Sequence, residues 1–350
     1  MNNPLVSYIV VCYNQEPFIC EAVSSALAQT YSPLEIVISD DCSKDRTFEI
    51  VQQMVAAYKG PHTVLLNRNP INLGIAGNSN RAVALCRGEL VVGAAGDDIS
   101  MPERTSITVR AWNDSGRKAT SIYSRFLTID ENSRPVGGAP EECLRKEQTR
   151  FVHARGTISG FLRRRKPHVA GCAYATSRVL ISIFGPLPET VTYEDTATCF
   201  RTVLAKGLFT FIDAPLVKYR RHERNITFAL HQKNPATPAE FEDFQAKLRC
   251  ELERFIPVYD CFAADAERAV EHGLISHAEY PTVKSKILYE RHRFELRRDL
   301  LLKNWLKRFS IFTELYSSTF RPREMLGYLP YLLPKELYRA AVVALNRTLS

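Results

Sequence analysis

The feature that most constrains this chain is an alternation over residues 5–98, in which apolar, β-branched runs take turns with segments of helical period. Residues 5–12 (LVSYIVVC) and 34–39 (LEIVIS) are apolar almost throughout, as strands covered on both faces must be, and residues 63–67 and 90–94 repeat the pattern. Residues 16–29 set Phe18, Ala22, Val23, Ala26 and Leu27 on one inward stripe, and further helical segments run to about residue 58 and over residues 77–86. Strands and helices alternating in this way build βαβ units, and with them a mostly parallel sheet flanked by helices. Such a sheet takes its ligands in the crevice beyond the carboxyl ends of its strands. Two acidic pairs fall there: Asp40 and Asp41 after the second strand, Asp97 and Asp98 after the fourth.

The remainder is less regular. Residues 117–155 read as mixed strand and loop with a turn at 137–140, and residues 171–176 and 208–211 as short strands with a helix over 195–205 between them. After Pro235 and Pro238 the pattern becomes helical to the end. We therefore expect a catalytic domain over 1–235, divided near residue 100 into a donor half and an acceptor half, and a helical, basic region over 236–350. The formal net charge is +8, and the 14 basic and 6 acidic residues after Glu279 carry all of it. A helix over roughly 290–312 sets Phe294, Leu301, Trp305, Phe309 and Phe312 on one stripe with Lys303 and Lys307 opposite. That pattern suits a membrane interface and equally a packed helix.

Several classes drop out. With 45% apolar and 24% charged residues the composition is that of a globular protein. The chain contains no G-x-G-x-x-G, no G-x-x-x-x-G-K-[ST] and no G-x-S-x-G, so dinucleotide oxidoreductases, P-loop enzymes and nucleophile-elbow hydrolases recede. Nine cysteines without a C-x-x-C pair read as free thiols of a reducing compartment, and the sequons at Asn113, Asn225 and Asn346 then carry no glycan. No apolar run reaches 18 residues, so membrane contact is expected to be peripheral. The basic run from Arg163 to Lys166 lacks the alternating aromatics of a nucleic-acid surface and reads as a rim beside an anionic or lipid-linked acceptor.

A nucleoside diphosphate is a polyanion, so carboxylates beside it make sense only with a divalent cation between them. Mg2+ or Mn2+, held by one or two carboxylates, keeps coordination sites for phosphate oxygens. Six segments in order resemble glycosyltransferase family 2. Residues 6–14 (VSYIVVCYN) are similar to its opening strand and donor loop, 39–47 (SDDCSKDRT) to its D-D-x-S-x-D-x-T loop, and 72–81 (NLGIAGNSNR) to its N-x-G-x-x-x-x-x-N-x segment. Residues 88–99 (GELVVGAAGDDI) resemble the strand entering its D-x-D motif, 193–196 (YEDT) its E-D motif, and 219–227 (YRRHERNIT) its late Y-R-x-H segment. Where the family often reads D-x-D-D this chain has Ala95-Gly96-Asp97-Asp98, so the first carboxylate is missing.

The resemblance implies a GT-A fold, an α/β architecture with a Rossmann-like, mostly parallel sheet and a helical C-terminal extension. It implies inverting transfer of a sugar from a nucleotide-diphosphate sugar to an acceptor hydroxyl, in cell-surface polysaccharide or glycolipid synthesis. Matched by position, Asp41 goes to the nucleobase or ribose, Asp97 to a metal bridging the diphosphate, and Asp98 to its support. Tyr13, Asn14, Asn80 and Arg81 line the donor site, Arg220 and Arg221 offset leaving-group charge, and His222 joins Asp97 on the metal. Asp195 is the expected general base, and Glu194 orients the acceptor or tunes Asp195 by like-charge proximity. The implied cofactor is a divalent cation, Mn2+ or Mg2+. The implied partners are the donor, a glycan or lipid-linked acceptor and the inner face of a membrane, with a cytoplasmic location and no nucleic acid. Two alternatives stay open. A nucleotidyltransferase would want a Gly-rich basic loop after the first strand, where Tyr13 to Pro17 stand instead; an inactive nucleotide-sugar binding protein would suit Ala95 but not the retained Asp97 and Asp195.

Overall fold

The computed structural model describes residues 3–136, 149–164, 170–225 and 238–302. β1 (Val6–Cys12), β2 (Leu34–Asp40), β3 (Thr63–Arg68) and β4 (Leu90–Ala95) pair in parallel in the order β3-β2-β1-β4, with Val6 opposite both Leu34 and Leu90. Alternate side chains leave a strand on opposite faces, and both faces are covered. Val6, Tyr8 and Val10 pack with α1 (Ile19–Leu27), α2 (Thr47–Ala57) and α4 (Arg104–Asp114), while Ile9, Val37 and Val91 pack with α3 (Gly74–Ala84). Each fully buried aliphatic side chain contributes about 1.5–3 kcal/mol, which is why the near-continuous apolar runs become central strands.

Beyond β4 the sheet is mixed. β8 (Tyr174–Ser177) joins β4 antiparallel, β6 (Ala119–Ile129) lies next, then β9 (Leu208–Arg220) parallel to it, with β5 (Ile99–Ser100) and β7 (Phe151–Ala154) antiparallel on β9. Among the described residues the sheet is thus mostly parallel and flanked by helices, as the sequence implied. β9 is far longer than the strand expected at 208–211. Proline is unusual inside a paired strand, but register shifts at Ser124–Phe126 of β6 absorb Pro215 and the pairing resumes to Arg220. Residues 171–176 likewise divide into a 3-10 turn, Gly171–Ala173, and β8.

Gly88 shows how tightly the layers meet. Its amide donates to Ser7 Oγ at 2.8 Å, and a Cβ there would run into the backbone nitrogen of Ser7. Gly88→Ala is expected to lower stability by about 1–3 kcal/mol, the usual cost of overpacking a close-packed site. A urea midpoint unchanged from wild type would contradict it.

α5 (Ile158–Arg164), α6 (Arg178–Phe184) and α7 (Glu194–Leu204) precede two long helices, α8 (Pro238–Glu271) and α9 (Tyr280–Leu302). The chain forms two compact units, residues 1–222 with 260–286, and residues 223–259 with 287–350. Residues 260–286 therefore pack with the first unit, although they lie beyond the boundary drawn near residue 235. Their anchor is a buried ion pair. Arg201 of α7 donates Nε to Asp265 Oδ2 at 2.7 Å and Nη2 to Asp265 Oδ1 at 3.1 Å. Phe262 packs on Phe200 at 4.2 Å and on Phe161 at 5.8 Å. In the second unit Phe294, on the apolar stripe that suits a membrane interface and equally a packed helix, is buried and packs on Phe255 and Tyr259 at 5.6 and 5.3 Å. Lys303, Trp305, Lys307, Phe309 and Phe312, the turn at 137–140, the basic residues at 165–166 and the boundary at 235 lie outside the described residues. No described helix is long and apolar enough to cross a membrane.

Candidate active site

Two loops at the carboxyl ends of β1 and β2 are laced together. The Asn14 amide donates to Ser43 Oγ at 2.9 Å, the Lys44 amide to Asn14 Oδ1 at 2.8 Å, and the Gln15 amide to Thr47 Oγ1 at 2.8 Å. Asn14 has φ 51, a left-handed conformation that Asn tolerates better than most residues. Asp40 is fully buried, accepts the Ser43 amide at 3.0 Å and lies 3.5 Å from the Arg68 guanidinium. It braces the loop. Asp41 accepts the amides of Leu73 and Gly74, the start of α3, at 2.8 and 2.9 Å, and Asn69 Nδ2 at 2.8 Å. A carboxylate offers about four lone-pair directions, so one remains for a ligand N–H. Tyr13 is 39% exposed at the mouth of this loop.

Cys42 stands in the same loop at φ 61. A side chain in that region costs roughly 1–2 kcal/mol, against about 0.5–1 kcal/mol for glycine's greater freedom in the unfolded chain. Cys42→Gly is expected to hold or raise stability by up to about 1 kcal/mol, and β-branched Cys42→Val to lower it by about as much. A Val variant more stable than the Gly variant in thermal melts would refute this.

At the end of β4 the chain turns through Gly96, where a Cβ would press on Gln15 Oε1 and lie 2.7 Å from Cys12 Cβ. The turn delivers Asp97 and Asp98. Asp97 Oδ2 lies 2.9 Å from His222 Nε2, and the His222 ring packs on Phe18 at 4.7 Å. Asp98 Oδ1 accepts the Arg220 amide at 2.8 Å. Burial, and after it the neighbouring Asp97, push the Asp98 carboxyl well above the usual carboxylate range, against the opposing pull of the Arg220 amide and Arg104. Arg104 is buried, its Nη2 donating to Gly93 O at 2.6 Å and its Nη1 to Ser100 Oγ at 2.9 Å, and supplies counter-charge behind the site.

The described residues hold no cluster of three or more His, Cys, Asp and Glu that would cage a metal by themselves. A carboxylate and an imidazole 2.9 Å apart still fit a hard divalent cation, which readily takes its remaining ligands from phosphate and water. Ala95 leaves that pair without the family's first carboxylate.

Glu194 and Asp195 open α7. Asp195 Oδ1 accepts the Thr196 amide at 2.6 Å and the Thr196 hydroxyl at 3.2 Å. Burial, then the charge of Asp195, push the Glu194 carboxyl up to about 8. The 3-10 turn lies against both: a Cβ on Gly171 would stand 3.1 Å from Glu194 Oε1 and 3.5 Å from Asp195 Oδ2. The next residue, Cys172, has its thiol pushed well up by burial and by Asp98, Asp195 and Asp97 together. This turn lies within electrostatic reach of both acidic pairs.

Two expected donor residues are employed otherwise. Arg220 is 1% exposed, and its guanidinium is spent inside the protein: Nε on Asp97 O at 2.8 Å, Nη1 on Glu131 O and Ser133 Oγ at 3.1 and 2.9 Å, Nη2 on Glu21 Oε2 at 2.6 Å. It holds the Asp97 backbone rather than offering itself to phosphate. Asn80 exchanges two hydrogen bonds with the backbone of Leu187, Nδ2 to O at 2.7 Å and N to Oδ1 at 3.0 Å. Arg81 is exposed on α3, and Arg221 keeps a buried Nε without a hydrogen-bond partner among the described residues. Glu21, Asn69, Asn78, Arg104 and the Gly171–Cys172 step escaped the sequence reading. Asn78, which accepts from Ser39 Oγ at 2.6 Å and Asn69 Nδ2 at 3.0 Å, had a signal in its place within the 72–81 segment; the others had none.

The model of Glycosyl transferase family 2 matches residues 7–168. The chain is 30% identical over 161 residues to the glycosyltransferase EpsE of Bacillus subtilis, covering 45% of this chain and 56% of that protein. It is 37% identical over 106 residues to the colanic acid biosynthesis glycosyl transferase WcaA of Escherichia coli, covering 30% and 37%. The chain thus spans about half or less of these relatives, and Glu194, Asp195 and His222 lie beyond the family match. Among solved structures it resembles Staphylococcus aureus TarS 1–349 in complex with UDP-GlcNAc at TM-score 0.53 and 18% identity, over 96% of this chain and 92% of that one. It also resembles the mannosyltransferase PcManGT of Pyrobaculum calidifontis, in complex with GDP-Man and Mn2+, at TM-score 0.50 and 18% identity, over 98% and 87%. Strand order, the acidic turns at the carboxyl ends of β2 and β4, and these matches lead to one conclusion: residues 7–168 match glycosyltransferase family 2, and the fold of the chain is the GT-A fold.

Proposed function

We propose that the protein is an inverting glycosyltransferase that moves a sugar from a nucleotide-diphosphate donor to an acceptor hydroxyl in the synthesis of a cell-surface polysaccharide or glycolipid. The observation that carries this reading is the placing of two acidic sites, Asp97 at 2.9 Å from His222 and Glu194 with Asp195 against the Gly171–Ala173 turn. Asp41, through its remaining lone pair, accepts an N–H of the base, with Tyr13 and Asn14 about it. Asp97 and His222 would hold a divalent cation, Mn2+ or Mg2+, which when bound offsets charge on the leaving diphosphate. Arg221 meets a phosphate oxygen, and exposed Arg81 lies at the rim.

Asp195 takes the acceptor's proton as the new bond to the anomeric carbon forms, and Glu194, neutral below about pH 8, donates a hydrogen bond that orients the acceptor. A single displacement of this kind inverts the anomeric centre. The excess of basic residues after Glu279 supports a peripheral place on an anionic membrane surface at its cytoplasmic face.

A thermal-shift panel of UDP-GlcNAc, GDP-mannose and other nucleotide sugars, each with Mn2+ or with EDTA, tests the reading. A donor at about 100 times its Kd should stabilise by about 2.7 kcal/mol. The shift should vanish in EDTA. A panel that moves nothing removes the donor site, and a shift without sugar transfer to any acceptor favours a binding protein.

A further inference from the structure

The segment between α6 and α7 is held by side chains from three helices, and it ends on the two carboxylates assigned above to the acceptor. The chain leaves α6 in a left-handed turn at Gly185, φ 66, a conformation that favours glycine. From Phe184 to Leu187 each successive carbonyl accepts from a side chain distant in sequence. Arg268 Nη1 of α8 reaches Phe184 O at 2.8 Å; Arg201 of α7 reaches Gly185 O at 2.7 Å and Pro186 O at 3.4 Å; Asn80 of α3 takes Leu187 O. Asp265, fully buried, joins Arg201 and Arg268 from between, the latter at 3.2 Å. Further along, Glu189 lies over the start of α3, its backbone oxygen 3.8 Å from where a Gly74 Cβ would stand and its Cγ 3.4 Å from a Gly77 Cβ. That first turn of α3 carries the Leu73 and Gly74 amides that hold Asp41.

Four carbonyls in a row held by two arginines and an asparagine are more than a loop needs for satisfaction, since an exposed turn can take water instead. The clamp joins the Asp41 side of the site to the Glu194–Asp195 side through one short stretch of backbone. We propose that Asn80, Arg201, Asp265 and Arg268 are positioning residues, which fix the 184–187 turn and thereby set Glu194 and Asp195 against the donor. The proposal rests on the reading of Glu194 and Asp195 as the acceptor carboxylates. Positioning of this kind has a distinct signature: misplacement of about 1 Å at a reacting group costs on the order of a hundredfold in rate without touching donor contacts.

The test uses the full chain with Asn80→Ala, and Arg268→Ala as a second variant, because loss of Asp265 would leave two arginines uncompensated and the protein unfolded. Hydrogen exchange of amides 187–196 is followed without ligand, and the donor chosen by the nucleotide-sugar panel is used for affinity and turnover. Asn80→Ala should exchange at least about tenfold faster over 187–196 with β1 to β4 unchanged. Its donor Kd should stay within about twofold while kcat falls about tenfold or more and the acceptor KM rises. Arg268→Ala should show the same pattern more weakly. Unchanged exchange over 187–196 in both variants overturns the clamp, and faster exchange with unchanged kcat overturns the positioning role. A lost donor affinity in Asn80→Ala returns that residue to the donor site and likewise overturns the proposal. Wild-type protein that transfers no sugar sinks the functional reading instead, and the exchange data alone then decide whether the clamp exists.

Discussion

Asp97→Asn is expected to reduce sugar transfer by about 10²–10³, the usual loss when one preorganised group that stabilises developing leaving-group charge is removed. The amide is nearly isosteric and can still hydrogen-bond His222, but it carries no charge for a cation and ligates it weakly. The fold should survive. The Asp97 carbonyl, not its carboxylate, anchors Arg220 at 2.8 Å, and Asp98 keeps the Arg220 amide. Circular dichroism and the melting temperature should therefore match wild type while Mn2+-dependent transfer falls by that factor. With Ala95 in place of the family's first carboxylate, Asp97 and His222 have little redundancy behind them, and Ala95→Asp is expected to tighten Mn2+ binding. Full wild-type activity in excess EDTA, or an Asp97→Asn enzyme at wild-type rate, would end the metal assignment.

Asp195→Asn should lower kcat by about 10²–10⁴, the usual range for general-base assistance, with donor affinity kept within a few-fold. A collapse of donor affinity would place Asp195 at the donor, and unchanged turnover would exclude it from the mechanism. Its neighbour adds a pH signature. The Glu194 carboxyl, pushed up to about 8 by burial and then by Asp195, holds its proton below that pH and loses it above. In the proposed mechanism this proton is the one that donates to the acceptor, so kcat should fall as pH rises through about 8. Glu194→Gln keeps a neutral donor at every pH and should flatten that alkaline limb while retaining activity at pH 7. A wild-type profile with no limb near pH 8, or an identical limb in Glu194→Gln, would show that Glu194 does not act through its proton.

Much of this architecture was legible beforehand because it depends on local pattern. Strands buried on both faces must be apolar at every position, so β1, β2 and β4 announce themselves, and topology then forces Asp40, Asp41, Asp97 and Asp98 to one edge. Glu194 and Asp195 were legible as a helix start for a similar reason, since acidic residues favour the positive end of a helix. β9 was not, because Pro215 breaks the pattern that only its partner β6 repairs.

Composition and order along the chain thus determined which elements form, which edge of the sheet is acidic and which residue types stand there. Tertiary structure alone decided what those side chains are occupied with. Arg220 and Asn80 occupy motif positions, yet the guanidinium of Arg220 is spent on Glu21, 199 residues away, and on the Asp97 carbonyl, 123 residues away, and the amide of Asn80 on Leu187, 107 residues away. Arg221, one residue on, keeps a buried Nε without a hydrogen-bond partner among the described residues. The physical reason is that a residue's chemistry is carried by its own atoms, but whether its donors face a ligand or a buried carbonyl depends on which distant backbone the fold brings within 3 Å, roughly the reach of a hydrogen bond.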